Sequence, residues 1–303
     1  MSILVVGSVA LDSVKTPFGE AKNALGGSAT YFSVSASYFT NVNLVAVVGD
    51  DFPQEHIALL EKHKIDLAGL QRVPGKTFRW SGEYTYDLNN ARTLDTQLNV
   101  FAHFTPSIPP AYRESEFVFL GNIDPELQME VLRQVRAPKL VAADTMNFWI
   151  DRKRNELIKT LKHVHILIIN EAEARQLAGE NNLVKAARII SSFGPRSLVV
   201  KRGEYGALFF NHHQIFSAPA YPLEVIFDPT GAGDSFAGGF MGYVAGCANS
   251  NDVNMRRAIV FGSVMASFNV EDFSLSKLKS LTKPQIMKRF QQFKEMTHFE
   301  VVG

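Results

Sequence analysis

Short, continuously apolar segments rich in β-branched residues recur along the first two thirds of the chain, and helix-like segments separate most of them. The apolar segments are Ile3–Gly7, Leu44–Val48, Phe117–Leu120, Leu140–Ala143, His165–Ile169 and Leu198–Val200. The helix-like segments are Phe52–His63, Pro125–Val135, Arg152–Leu161 and Leu183–Phe193. Such apolar runs are typical of strands that are buried on both faces of a parallel sheet. The alternation therefore predicts an α/β fold with a doubly wound, mostly parallel sheet and helices on both faces.

Small and polar residues follow the predicted strands. They are Gly7-Ser8 leading to Asp12, Gly49-Asp50-Asp51, Gly121-Asn122, Asp144, Asn170-Glu171 and Lys201-Arg202-Gly203. Each group alone could be an ordinary turn or helix cap. Because open α/β sheets bind ligands beyond the carboxyl ends of their strands, the six together indicate a ligand site at that edge of the sheet.

Length and composition exclude several classes of protein. A chain of 303 residues, 46% of them hydrophobic, can bury one large core, so we expect a single domain over residues 1–303 with a small appendage. The 31 basic and 30 acidic residues nearly cancel, which makes nucleic acid and anionic membranes unexpected partners. The single cysteine, Cys247, excludes an internal disulfide and a cysteine cluster for zinc. With no basic leader and no apolar run of ~20 residues, a cytoplasmic protein is expected.

The stretch Asp228–Phe240 has residue types that suit chemistry better than packing. Asp228-Pro229-Thr230 predicts a turn, and Gly231-Ala232-Gly233 allows the backbone to pass close to a ligand before a buried helix begins. A helix N-terminus with unpaired N–H groups is suited to binding a phosphate. Asp234 beside that site could accept a proton from an attacking hydroxyl, or it could merely cap the helix. The helix also contains Gly238, Gly239 and Gly242, which predicts close packing of its backbone against a neighbour.

The segment Asp-Pro-Thr-Gly-Ala-Gly-Asp-Ser-Phe at 228–236 resembles the C-terminal signature of the PfkB, or ribokinase-like, carbohydrate kinases. Gly26-Gly27 near the N-terminus extends the resemblance over nearly the whole chain. The resemblance implies that Asp234 is the catalytic base and that Gly231, Ala232 and Gly233 form the anion hole. It also implies ATP and Mg²⁺ as cofactors.

Residues near the N-terminus resemble the family's substrate site. Gly26, Gly27 and Ser28 open a predicted helix that runs to about Phe39, and the resemblance implies that they contact substrate while Asp12 binds its hydroxyls. Related sequences commonly carry an asparagine where this chain has Tyr31. One substrate contact is therefore lost, which argues against ribose itself.

Two further segments resemble the family's nucleotide site. Asn170 and Glu173 match an Asn-x-x-Glu element, which implies a role in placing magnesium through water and the phosphates; a capped, acidic helix start would explain them equally well. Lys201 and Gly203 match the strand and turn beside ATP. Asp228 and Thr230 could form a monovalent-cation site, as in relatives that need K⁺.

Residues 11–25 and 72–104 interrupt the alternation, and we interpret them as a small sheet that matches the family's lid. In Thr77–Tyr86, apolar and polar residues alternate, with Phe78, Trp80, Tyr84 and Tyr86 on one face, and Leu98–Phe104 could return as a partner strand. That aromatic face must be covered, either by the ligand or by the lid of a second subunit. We expect a homodimer through the lid.

Together these features predict an ATP-dependent kinase that transfers the γ-phosphoryl group to a primary hydroxyl of a sugar. A nucleoside kinase of the adenosine type on the same fold is the nearest alternative. A catalytically silent sugar-binding regulator is less consistent with an intact base and anion loop. A nicotinamide-dependent oxidoreductase would need a dinucleotide glycine loop after the first strand, and Gly7-Ser8 does not provide one.

Overall fold

The computed structural model describes residues 2–211, 214–247 and 250–300. The N-terminal half contains β1 (Ser2–Val6), β2 (Ala10–Thr16), β3 (Gly19–Gly26), α1 (Ser28–Ala36), β4 (Asn41–Val48), α2 (Gln54–Lys62), β5 (Ile65–Arg72), β6 (Phe78–Tyr84), β7 (Ala91–Gln97), β8 (Phe117–Leu120), α3 (Pro125–Gln134) and β9 (Leu140–Ala143). The remainder contains α4 (Asn147–Arg152), α5 (Arg154–Leu161), β10 (Ile166–Asn170), α6 (Glu171–Ala178), α7 (Leu183–Ser191), β11 (Ser197–Lys201), β12 (Ala207–Asn211), β13 (Ile215–Ala218), α8 (Ala232–Cys247), α9 (Asp252–Asn269) and α10 (Lys283–Thr297).

Nine strands form the main sheet in the order β13-β12-β11-β10-β9-β8-β1-β4-β5. Pairing is parallel from β11 to β5, while β12 and β13 are antiparallel additions at one edge. The predicted fold class is therefore confirmed, and all six predicted strands are present.

Two hydrophobic clusters lie on the two faces of this sheet, which explains the continuously apolar strands. In β1, Ile3 and Val5 belong to one cluster, whereas Leu4 and Val6 belong to the other. Successive side chains of a strand point to opposite faces, so burial on both faces requires every residue to be apolar.

The glycines of α8 allow close contact with two neighbouring helices. A methyl group on Gly238 would overlap the carbonyl oxygen of Phe32, and one on Gly242 would lie 2.8 Å from the Cα of Ala36, both in α1. On the other side, a methyl group on Gly239 would lie 2.7 Å from Met265 in α9. The predicted close packing is confirmed.

A second sheet, in the order β3-β2-β6-β7, forms the lid. The prediction of Leu98–Phe104 as its returning strand is wrong. That segment contains a 3₁₀ helix at Asn99–His103, and Ala91–Gln97 is the strand that pairs with β6. The aromatic residues explain the difference, because Phe101 stacks on Phe78 at 5.3 Å and on Phe104 at 5.7 Å instead of extending along a strand.

Two further boundaries differ from the sequence prediction. Helix α1 ends at Ala36 and not near Phe39. Tyr86 lies beyond the end of β6 and is 84% exposed, so it does not share the aromatic face of the strand. No helix within the described ranges is both long and apolar enough to cross a membrane.

Candidate active site

A cavity of about 320 Å³ lies between the lid and the carboxyl edge of the main sheet. Residues predicted for the site that line it are Asp12, Gly27, Ser28, Asn170, Glu173, Lys201, Thr230, Gly231, Gly233 and Asp234. Other lining residues are Ser8, Tyr31, Phe78, Trp80, Tyr84, Asn122, Asp144, Thr145 and Met146. Ten of the fourteen predicted residues therefore share one cavity, while Gly26, Gly203, Asp228 and Ala232 lie outside its lining.

The glycine loop before α8 is held from both sides. Asp228 is buried, and its two carboxylate oxygens accept hydrogen bonds from the N–H groups of Thr230 (2.9 Å) and Ser274 (3.1 Å). Gly231 has φ +74°, and a methyl group there would overlap the ring of Tyr31. Only glycine fits this position, since an added side chain would meet both a strained backbone and a buried ring. Tyr31, which departs from the family pattern, thus forms the support of this loop.

Asp234 lies in the first turn of α8 and lines the cavity. Asp234 is the third residue of α8, whereas an N-cap is the residue just before the helix. Within the described ranges, its carboxylate accepts no hydrogen bond from a backbone N–H. This geometry does not match a helix cap. The pKa of Asp234 is raised to about 7, mainly by burial and also by the charge of Asp144, while Lys201 opposes the rise. A carboxyl group with a pKa near neutrality is suited to accepting a proton.

Asp12 also lines the cavity, and Gly26 and Gly27 lie close to its carboxylate. Its Oδ2 accepts a hydrogen bond from the N–H of Gly27 at 3.3 Å, and a methyl group on Gly26 would overlap the same oxygen. Burial raises the pKa of Asp12 to about 7 although that hydrogen bond opposes the shift. Gly26 therefore lies behind Asp12 and makes room for it, while Ser28 lines the cavity and donates its N–H to Ser8 Oγ at 3.0 Å.

Asn170 and Glu173 at the start of α6 form a helix cap and also line the cavity, so both interpretations of the sequence apply to them. Asn170 Oδ1 accepts from the Glu173 N–H and Glu173 Oε2 accepts from the Asn170 N–H, each at 2.8 Å, which is a reciprocal capping box. Both residues nevertheless line the cavity. Burial raises the pKa of Glu173 to about 7, and the charge of Asp144 adds to the shift.

Lys201 ends β11 and forms a buried ion pair with Asp144 at the end of β9, with Nζ 3.0 Å from Oδ2. Burial opposes its charge, but Asp144, Glu173 and Asp234 outweigh burial and raise the pKa of Lys201. Gly203 follows in a 3₁₀ turn with φ +55°, where a methyl group would overlap Asn89 Oδ1 of the lid. The loop after β11 thus contacts the tip of the lid hairpin.

Three aromatic residues of the lid, Phe78, Trp80 and Tyr84, face the cavity. Trp80 donates its ring N–H to Thr93 Oγ1 at 3.2 Å, and Tyr84 accepts a hydrogen bond from Thr230 Oγ1 at 3.3 Å. The aromatic face of β6 therefore contributes to the same cavity as Asp12 and Asp234.

Asn122 and Asp144 belong to the groups that the sequence places at this edge of the sheet, although without a specific role, whereas Thr145 and Met146 have no such signal. Asp144 had a signal, since it directly follows a predicted strand, but its ion pair with Lys201 depends on tertiary structure. Within the described ranges, no group of three or more His, Cys, Asp or Glu side chains is arranged to hold a metal ion.

The fold and this cavity define a class of small-molecule phosphotransferase. A family model, pfkB family carbohydrate kinase, matches residues 3–280, and the chain belongs to this family. It is thus an ATP-dependent phosphotransferase with a hydroxyl group as acceptor.

Three similar proteins illustrate the relationship. A cytidine kinase from Thermococcus kodakarensis is 32% identical over 253 residues, covering 81% of this chain and 90% of that protein. A nucleoside kinase from Methanocaldococcus jannaschii is 24% identical over 264 residues, covering 86% and 82%. The structure of a putative ribokinase II from E. coli is 17% identical, covers 97% of this chain and 99% of that one, and superimposes with a TM-score of 0.81.

Proposed function

We propose that this protein is a nucleoside kinase that transfers the γ-phosphoryl group of ATP to the primary hydroxyl of the nucleoside sugar. The observation that carries the proposal is the placement of Phe78, Trp80 and Tyr84 in the cavity that also contains Asp12 and Asp234. A nucleobase presents a planar π face that stacks on aromatic rings at ~1–3 kcal/mol per base, which a free sugar lacks. Two of the similar proteins are named cytidine kinase and nucleoside kinase, which favours the same acceptor over a free sugar.

The residues have distinct roles in this proposal. Asp12, with Gly27 and Ser28, holds the sugar hydroxyls, because its buried carboxylate has one oxygen near the Gly27 N–H and faces the cavity. Asp234 accepts the proton of the attacking hydroxyl. Gly231 and Gly233, which line the cavity at the start of α8, supply N–H groups that stabilise the charge on the transferring group. The predicted third member, Ala232, donates its N–H to the Pro229 carbonyl oxygen at 3.1 Å.

The nucleotide would lie at the other end of the cavity, near Asn170, Glu173 and Lys201, with Gly203 in the adjoining turn. Carboxylate and amide oxygens suit Mg²⁺, and Glu173 with Asn170 would hold it through water while the ion neutralises phosphate charge.

Two earlier expectations stay predictions. The first is a K⁺ site at Asp228 and Thr230. A bound K⁺ would compete for the two Asp228 oxygens with the backbone N–H groups of Thr230 and Ser274, which already donate hydrogen bonds to them. The second is a homodimer through the lid. The aromatic face lines the cavity, so it does not need a second subunit to cover it. The exposed strand β7 nevertheless leaves an edge of the lid sheet available for pairing with another chain.

An acceptor panel tests the proposed function. Cytidine, uridine, adenosine, inosine, ribose and fructose are each incubated with Mg-ATP, and the phosphorylated product is identified by mass spectrometry. We expect nucleoside monophosphates from at least one nucleoside and little product from the free sugars. Efficient phosphorylation of ribose or fructose with inert nucleosides would contradict the proposal and support a sugar kinase.

A further inference from the structure

The charges that line the cavity are unbalanced. Four carboxylates line it, from Asp12, Asp144, Glu173 and Asp234, and among the described lining residues Lys201 is the single cation. An ATP molecule would bring further negative charge into this space. Among the described lining residues, the Lys201 ammonium group is therefore the one positive side chain that can attract the phosphate groups.

Lys201 is directed toward the glycine loop as well as toward Asp144. Its Nζ is 3.0 Å from Asp144 Oδ2, and it would lie 2.9 Å from a methyl group placed on Gly233. The Lys201 side chain is 18% exposed and that of Asp144 is 7% exposed. The ammonium group thus lies beside the first turn of the sixteen-residue helix α8.

Asp144 stabilises the charge of Lys201, whereas the neighbouring N-terminus of α8 opposes it. A helix N-terminus carries partial positive charge, which repels an ammonium group and attracts an anion. A buried ion pair also gains little net stability, since desolvation offsets the attraction between its charges. Two positive features that converge on one point are explained by an anionic group that binds between them.

We propose that Lys201 is a catalytic residue whose ammonium group moves from Asp144 to the γ-phosphoryl oxygens of ATP, and that Asp144 is the positioning residue that holds it in the cavity. The inference rests on the proposed phosphoryl transfer but not on the nature of the acceptor. A lysine is suited to this task because it acts as a compact, mobile point charge.

The step balances without a further reactant. A lone pair of the acceptor oxygen forms the new bond to the γ-phosphorus, and the bond from that phosphorus to the β–γ bridging oxygen breaks, with its electrons leaving on ADP. The hydroxyl proton goes to Asp234. Lys201 keeps its proton throughout and stabilises the negative charge on the equatorial oxygens.

The test compares two nucleotides that differ in the γ-phosphoryl group. Calorimetric titration of Lys201→Met with ADP and with a non-hydrolysable ATP analogue, both with Mg²⁺, measures the contact directly. Loss of a charged hydrogen bond predicts analogue affinity reduced roughly ten- to hundredfold, with ADP affinity within threefold. We expect kcat to fall on the order of 10²–10³-fold, as for loss of a transition-state donor.

Lys153→Met is the matched control. Lys153 also forms an ion pair, with Asp124 Oδ2 at 2.7 Å, but it lies outside the cavity lining. This control should leave both nucleotide affinities and kcat unchanged. Equal losses for ADP and the analogue in Lys201→Met, or no loss for either, would overturn the proposed contact.

Two conservative variants separate catalysis from folding. Lys201→Arg keeps the charge, so its kcat should be at least tenfold higher than that of Lys201→Met. Equal kcat values for the two variants would contradict a role for the charge. Asp144→Asn should lower kcat about tenfold while the affinity for the ATP analogue stays within threefold. An unchanged kcat would remove the positioning role of Asp144. Because the binding titration needs no acceptor, it remains informative even if the acceptor is a sugar.

Discussion

Replacing Asp234 by asparagine should make the protein less active and more stable. The amide keeps the shape of the side chain but cannot accept a proton, so turnover should fall on the order of 10²–10⁴-fold. The same substitution removes a buried charge. Burial raises the pKa of this carboxyl from 3.8 to about 7, which means that ionised Asp234 destabilises the folded protein.

The size of the stability gain follows from that pKa. The rise of the pKa from 3.8 to about 7 corresponds to at most about 4 kcal/mol when Asp234 is ionised in both the folded and the unfolded protein, near pH 8. A raised folded-state pKa stabilises the folded protein at low pH relative to high pH, and this contribution is lost progressively as pH rises from about 4 to about 7. The gain from the substitution therefore shrinks to less than about 2 kcal/mol at pH 5 and disappears below about pH 4.

Thermal unfolding of Asp234→Asn and its parent at pH 8 and pH 5 measures this effect. For a chain of 303 residues, about 4 kcal/mol corresponds to a rise in Tm of about 6 °C at pH 8, and about half of that or less at pH 5. The Asp234 charge also contributes to the raised pKa values of Asp12 and Glu173, so its removal relieves both carboxylates and adds to the gain at pH 8. A variant that is less stable at pH 8, or one with near-normal turnover, would refute the reasoning.

Three further substitutions test other parts of the structure. Trp80→Ala should raise the KM for a nucleoside roughly ten- to hundredfold by loss of stacking, and the KM for ribose much less; equal changes for both acceptors would exclude stacking. Gly238→Ala should lower the free energy of unfolding in urea by about 1–3 kcal/mol, because its methyl group would overlap the Phe32 carbonyl oxygen; an unchanged midpoint would contradict the close packing of α8. Glu173→Gln should raise the Mg²⁺ concentration for half-maximal activity, whereas Glu171→Gln, just outside the cavity lining, should not; overlapping titrations of the two variants would remove Glu173 from the metal's surroundings.

The main sheet could be predicted because burial on both faces leaves a strong local signal. Each strand from β1 to β11 that the sequence indicated is an uninterrupted apolar run. Strand β7 has no such signal, since all of its side chains are exposed. Phe101 and Phe104 suggested a strand instead, but their rings pack in a row against Phe78.

The candidate site was predictable where chemistry and packing conflict. Asp234 and the glycines before it are poor choices for a core, so the sequence itself marks them. The Asp144–Lys201 pair carries no such mark, because its partners are 57 positions apart and end strands that are separated by β10. The contact of Tyr31 with Gly231 likewise depends on the packing of α1 against α8.

A competition experiment tests the proposed nucleoside specificity most directly. Cytidine and ribose are supplied together at equal concentration with limiting Mg-ATP, and the ratio of the two phosphorylated products gives the ratio of their kcat/KM values. Stacking on the lid aromatics, at ~1–3 kcal/mol per base, predicts roughly five- to hundredfold more cytidine monophosphate than ribose phosphate. An excess of ribose phosphate would contradict a nucleobase in this cavity.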